Sequence, residues 1–166
     1  MRAEMYEIIP CPAGRLATMP RPREGQWLKG EIASLQAAGV TDLVSMLTIS
    51  EEVEIGLVFE SDLCAEFGLR FHRYSLPDRS VPLQPAFDDF VATLLPVLQL
   101  GGFIAIHCRA GIGRSSVLAA GFLCALGLPA REALRLISNA RGFDVPDTDE
   151  QYDFILSLDG PRARSA

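Results

Sequence analysis

The sequence has no run of 18 or more apolar residues, so a membrane-spanning helix is not expected. It has no CxxC pair. Its four cysteines, Cys11, Cys64, Cys108 and Cys124, share no metal-ligand spacing with the two histidines, His72 and His107. A zinc site or dithiol redox centre therefore has no support, and neither metal nor cofactor is expected. Scattered single cysteines fit a reducing compartment, and a cytoplasmic location is expected. The N-terminus, MRAEMYEIIP, lacks the hydrophobic stretch of a signal peptide. No fixed-period repeat or low-complexity block is visible. Positive charge is scarce: 15 Lys+Arg face 21 Asp+Glu, for a net charge of -6. That balance argues against nucleic acid or an anionic membrane as a dominant partner, while leaving room for one local basic pocket.

What is present is a foldable chain. At 166 residues, 49% hydrophobic and 22% charged, it is long enough to bury one core. We expect one domain over residues 1–158, with 1–24 as an N-terminal strand and loop and 159–166 as a flexible tail. A monomer is expected. Tyr6–Ile9 reads as a short strand, and the Pro/Gly-rich 11–26 stretch as a loop. Trp27–Ala38 has helical spacing and stops at Gly39. Residues 40–47 suit a buried strand. Thr48, with Glu51 three positions on, suits a helix N-terminus. Phe59–Phe67 reads as helix and Leu69–Leu76 as strand. Residues 84–100 carry a helical stripe that Pro96 kinks or divides. Residues 103–107 read as a buried strand, Ser115–Leu126 and Pro129–Asn139 as helices, and Asp147 or Thr148 as the cap of a last helix. Alternation of strands and helices implies an α/β domain, with a mainly parallel or mixed sheet flanked by helices.

The chemistry concentrates in HCRAGIGRSS, residues 107–116. It leaves a buried strand and enters a helix, where backbone N–H groups converge. Gly111 and Gly113 let the chain curl around an anion, so Arg109, Ala110, Gly111, Ile112, Gly113 and Arg114 are candidate phosphate ligands. Amides, helix terminus and Arg114 all favour a thiolate at Cys108. The Arg114 fork matches two phosphate oxygens. A thiolate under a tetrahedral phosphate is a nucleophile for in-line phosphoryl transfer, with the equatorial oxygens held by amides and guanidinium. No Lys-Ser/Thr pair follows the glycines, so this is not a nucleotide-binding Walker loop.

The run from His107 to Ser115 resembles the HCxxGxxRS signature of cysteine-dependent protein tyrosine and dual-specificity phosphatases, most nearly the compact kinase-associated and CDC14-like branch. The resemblance implies that Cys108 forms a phosphocysteine intermediate and Arg114 clamps the phosphate. It implies that Ser115 hydrogen-bonds the sulfur, besides any helix-capping role, and that His107 supports the loop. It further implies metal-independent hydrolysis of phosphoprotein substrates: phosphotyrosine, with phosphoserine and phosphothreonine admitted by a shallow pocket. Small-molecule, lipid-head or RNA 5′-phosphate substrates, and a non-catalytic phospho-binding module, stay open.

Hydrolysis also needs a proton for the leaving oxygen. Asp78 follows the strand ending at Leu76, and one helix and one strand return the chain from there to Cys108 on the same sheet edge. The family places its acid in such a loop. Asp88 and Asp89 are rivals at a helix start, where acids commonly answer the dipole. Arg79 either contacts substrate or holds the loop. Arg109 points outward and is available to a second negative group. Phe143 is a candidate for the pocket rim. Gln151 matches a position where some relatives place a water-orienting Gln, but packing or capping suits its setting better. Cys64 and Cys124 read as buried small hydrophobes, with a protective disulfide to Cys108 as the alternative.

Overall fold

The computed structural model describes residues 2–159. Five strands form one sheet: β1 (Tyr6–Glu7), β2 (Arg15–Met19), β3 (Asp42–Ser45), β4 (Arg70–Arg73) and β5 (Phe103–His107), in the order β1-β2-β5-β3-β4. The β1–β2 pair is antiparallel and every other pair is parallel, as expected for a mixed, mainly parallel sheet. The helices are α1 (Leu28–Ala37), α2 (Ile49–Ile55), α3 (Glu60–Glu66), α4 (Gln84–Gln99), α5 (Arg114–Ala125), α6 (Ala130–Arg141) and α7 (Asp149–Leu156).

β5 is central because all five of its residues are buried and apolar or internally bonded. Its side chains alternate between two cores. Ile104 and Ile106 meet Phe87, Leu118, Phe122 and Ile137 on one face, while Phe103 and Ala105 meet Ile32, Leu35, Leu43 and Cys64 on the other. That period-two division is what a sheet covered on both sides requires. α5 is buried along nearly its whole length, from Arg114 to Cys124, and after its polar first three residues it is apolar all round rather than striped.

Three expectations from the sequence need correction. The stretch 11–26 is not all loop, since β2 lies within it, paired to β5 from Arg15↔Phe103 to Met19↔His107. β2 is buried on both faces after Arg15. It therefore lacks the apolar–polar alternation that marks a half-exposed strand, and Gly14 and Pro20 hide its ends. Pro96 does not divide its helix: α4 runs through it. Phe87, Val91, Leu94 and Leu98 are all buried on one side and outweigh the one lost backbone bond. The expected strand over Leu69–Leu76 is shorter, ending at Arg73. Tyr74 and Leu76 still donate their amides to Ser45 and Met46 carbonyls, at 2.9 and 3.3 Å. The expected tail lies outside the described residues apart from Asp159, which ends a short 3-10 turn.

Candidate active site

β5 delivers Cys108 to the C-terminal edge of the sheet, and neighbouring chain on both sides pins the loop that follows. The Met46 amide donates to the His107 carbonyl at 2.9 Å, and the Arg21 amide donates to the Arg109 carbonyl at 3.1 Å. Gly111 has φ +72, and a Cβ there would stand 2.6 Å from the Met19 carbonyl carbon and 2.7 Å from Pro20 N. Only glycine fits where the loop presses on the end of β2. Arg141, at the end of α6, donates from Nε to the Gly111 carbonyl at 3.2 Å and from Nη2 to the Ala110 carbonyl at 3.4 Å. Its guanidinium lies over Tyr6, 4.2 Å from the ring centroid, and Phe143, 4.5 Å. Phe143 thus meets the loop through Arg141. Sequence reasoning did not find Arg141, because a basic residue in the last helical turn already has an ordinary explanation.

Cys108 is buried, and its Sγ lies 3.4 Å from Ser115 Oγ. Beside it His107 is fully buried. Its Nε2 is 2.7 Å from Glu60 Oε2, and its Nδ1 is 3.2 Å from the Cys108 carbonyl. With a carboxylate at one nitrogen and a carbonyl at the other, both nitrogens donate only in the imidazolium form. Burial alone would lower the His107 pKa. The Glu60 charge and hydrogen bond outweigh it and raise the pKa above the ordinary histidine value.

Arg114 is 1% exposed and densely held. Nη1 donates to Glu51 Oε1 at 2.7 Å, to the Leu76 carbonyl at 2.8 Å and to the Met46 carbonyl at 3.3 Å. Nη2 donates to Glu51 Oε2 at 3.1 Å and lies 3.3 Å from Asp78 Oδ1. Nε is buried with no hydrogen-bond partner in the protein, an unspent charged donor that strongly favours an anion.

Glu51 is the carboxylate that holds this guanidinium. It also completes the α2 capping box, accepting from the Thr48 amide at 3.0 Å, and its Oε2 lies 3.4 Å from Arg109 Nε. Burial pushes its carboxyl upward, but the bonds from Arg114, Thr48 and Arg109 bring it down to about 2. The sequence showed Glu51 only as a cap. The missed signal was topological, for α2 starts directly after β3, on the same sheet edge as Cys108. The Glu51 contact also occupies Arg109, which was expected to point outward. Its side chain remains 43% exposed.

Asp78 sits in a turn closed by the Ser80 amide donating to the Pro77 carbonyl at 3.1 Å, and its side chain is 56% exposed. Arg79 takes φ +63, a left-handed conformation that costs a non-glycine residue about 1 kcal/mol or more. Its Nη1 lies 3.3 Å from Asp147 Oδ2, an exposed contact between the Asp78 loop and the turn before α7. Asp88 accepts from Gln84 Nε2 within α4. All four cysteines are free. Cys64 and Cys124 lie in opposite cores, and burial pushes both thiols up to about 12. Among the described residues, no group of three or more His, Cys, Asp or Glu is arranged to hold a metal, and no helix is long and apolar enough to cross a membrane.

Comparison with known proteins settles the family. The family model described as "Tc-R-P: Polymorphic toxin system, DSP-PTPase phosphatase" matches residues 17–128, which include Asp78, Cys108 and Arg114. The chain belongs to this DSP-PTPase family. It is 24% identical over 130 residues to cyclin-dependent kinase inhibitor 3 of Rattus norvegicus, a match covering 77% of this chain but 61% of that protein. Its fold is similar to kinase associated phosphatase (KAP) carrying serine in place of its catalytic-site cysteine. The TM-score is 0.85 and the identity 19%, over 95% of this chain and 94% of that one. It is also similar to Tk-PTP in the active form, with a TM-score of 0.74 and 23% identity over 92% and 95% of the two chains. These likenesses agree with the kinase-associated branch expected from the signature loop, and they place the fold among DSP-PTPase phosphatases.

Proposed function

We propose that the chain hydrolyses phosphomonoesters on phosphoproteins, phosphotyrosine foremost, through a phosphocysteine at Cys108 and without a metal. The observation that carries this reading is the disposition of Arg114. Its two terminal nitrogens are committed to Glu51, to backbone carbonyls and to Asp78, yet Nε stays unspent. Cys108 lies near enough to couple electrostatically to this guanidinium. In this reading the loop amides from Arg109 to Gly113, with Arg114, bind the phosphate. Cys108 attacks phosphorus in line while Asp78 gives its proton to the leaving oxygen. Ser115 donates to the sulfur and eases its departure when water, activated by the Asp78 carboxylate, attacks the phosphocysteine. The His107 imidazolium supports the thiolate through the Cys108 carbonyl. Arg79 adds a weak, exposed tether to the acid loop through Asp147, and Phe143 backs Arg141. The catalytic unit spans residues 1–158, and a reducing, cytoplasmic setting suits its free nucleophile.

Turnover of phosphotyrosine, phosphothreonine, inositol-lipid and RNA 5′-phosphate substrates in the presence of a chelator tests the proposal, with Cys108→Ser as blank. Phosphotyrosine peptide turnover that survives chelation and vanishes in C108S is expected. Turnover in C108S matching wild type, or none in wild type, contradicts it.

A further inference from the structure

The acid loop is exposed, contains a strained Arg79, and needs something to keep Asp78 over the phosphate cup. Gln151 supplies it from the far side of the site. Its side chain is fully buried, with 0% exposure, and its carboxamide is completely oriented. Oε1 accepts from the Asp147 and Thr148 amides, each at 3.2 Å, and Nε2 donates to the Ser80 carbonyl at 3.2 Å. Two N–H donors on one side and a carbonyl on the other fix which end is oxygen. The same carboxamide packs on the phosphate loop. A Cβ on Gly113 would fall 2.8 Å from Gln151 Oε1 and 3.1 Å from its Nε2. One buried group thus touches the α7 cap, the phosphate loop and the acid loop, two residues beyond Asp78. The parallel contact, Arg79 with Asp147, is exposed on both sides and screened by solvent. Gln151 also lies outside the span matched by the family model.

We infer that Gln151 is a positioning residue for proton transfer: its Nε2 donates to the Ser80 carbonyl and holds the acid loop where Asp78 reaches the leaving oxygen. This rests on the reading of Asp78 as the acid. It also explains why Gln151 is ill placed to orient water at the sulfur: its oxygen already accepts two bonds, and its side chain is sealed from solvent.

Gln151→Glu separates the latch from the cap. A carboxylate still accepts from Asp147 and Thr148 and keeps the capping box, but it has no proton for the Ser80 carbonyl. Rates on aryl phosphates of graded leaving-group ability are measured for wild type, Q151E, D78A and the double variant, with melting temperatures. Q151E sets a buried carboxylate against the Ser80 carbonyl and is expected to lower the melting temperature while staying folded at the assay temperature. It is expected to slow the poorest leaving group about tenfold or more and the best by less than about twofold. In the D78A background it is expected to add nothing further. Q151E matching wild type across the series overturns the inference, as does equal slowing of all leaving groups or a multiplicative loss in D78A. Gln151→Met, which removes both bonds, is expected to show the same leaving-group pattern with a lower melting temperature. A lowered melting temperature without that pattern reduces Gln151 to a cap. A D78A variant with no leaving-group dependence is a separate failure: it removes Asp78 as acid and the inference with it.

Discussion

Two loops meet around Cys108, and they are held in opposite ways. The loop from 108 to 114 is buried at Cys108, Gly111, Gly113 and Arg114, pinned by β-strand neighbours on both sides, backed by Arg141 and closed by an Arg114 that spends two of its three nitrogens within the protein. The loop that carries Asp78 is exposed, bends through a left-handed Arg79, and is tied down by Gln151, Asp147 and Arg114. Anion binding requires donors fixed before the substrate arrives, since reorganising them during reaction costs rate. Proton delivery tolerates a lighter tether, provided the tether is specific. On the proposed function, the difference predicts that damage to the first loop removes binding and turnover together. Damage to the second selects among leaving groups.

Three perturbations sharpen that contrast. The largest belongs to Arg114. Arg114→Lys keeps the charge but cannot reproduce a planar fork shared among Glu51, two carbonyls and a phosphate. kcat/KM is expected to fall about 10²- to 10³-fold for good and poor leaving groups alike. A loss confined to poor leaving groups would break the contrast between the loops.

Next comes Glu51, which supports the rigid loop from behind. Removing its charge leaves a buried guanidinium without its counterion, and Glu51→Gln is expected to cost about 3 kcal/mol of stability in denaturant unfolding. The pH dependence follows from the same pair. The folded carboxyl lies at about 2, below its ordinary 4.5, so the folded state favours the ionised form. Stability from this group is complete above about pH 4.5 and is lost as pH falls toward 2. Acid unfolding of E51Q should be correspondingly shallower over that interval. Identical acid profiles for E51Q and wild type would show that Glu51 does not anchor Arg114.

The smallest effect is expected at Asp147. Asp147→Asn breaks an exposed ion pair with Arg79, and both stability and the leaving-group profile should change by less than about 1 kcal/mol. A loss as large as that of Q151E would move the latch from Gln151 to the ion pair.

The rigid loop was legible in the sequence because its demands are local. Two glycines, a cysteine and an arginine within seven residues leave little else to build. The approach of Asp78 to Arg114 follows from topology, since its Pro-bounded turn comes a few residues past β4 on the same sheet edge. What stayed hidden acts across long separations. Glu51 is 63 residues from Arg114, and Glu60 is 47 from His107. Each carries an adequate local explanation, as a capping-box member or a helix-start acid, so neither signalled its partner. Gln151 was read as a cap, which it is. The Ser80 contact, 71 residues away, is visible only once α7 is packed against the loops. β2 escaped for a related reason: burial on both faces erases the alternation that marks a strand.

The central claim is a covalent one. Wild-type protein is mixed with an aryl phosphate, quenched in acid during turnover, digested and examined by mass spectrometry. The account predicts phosphate on the thiol of the peptide containing Cys108, present in wild type and absent from C108S. Steady turnover with no phosphate on Cys108 at any quench time, or with the phosphate on another residue, would contradict it.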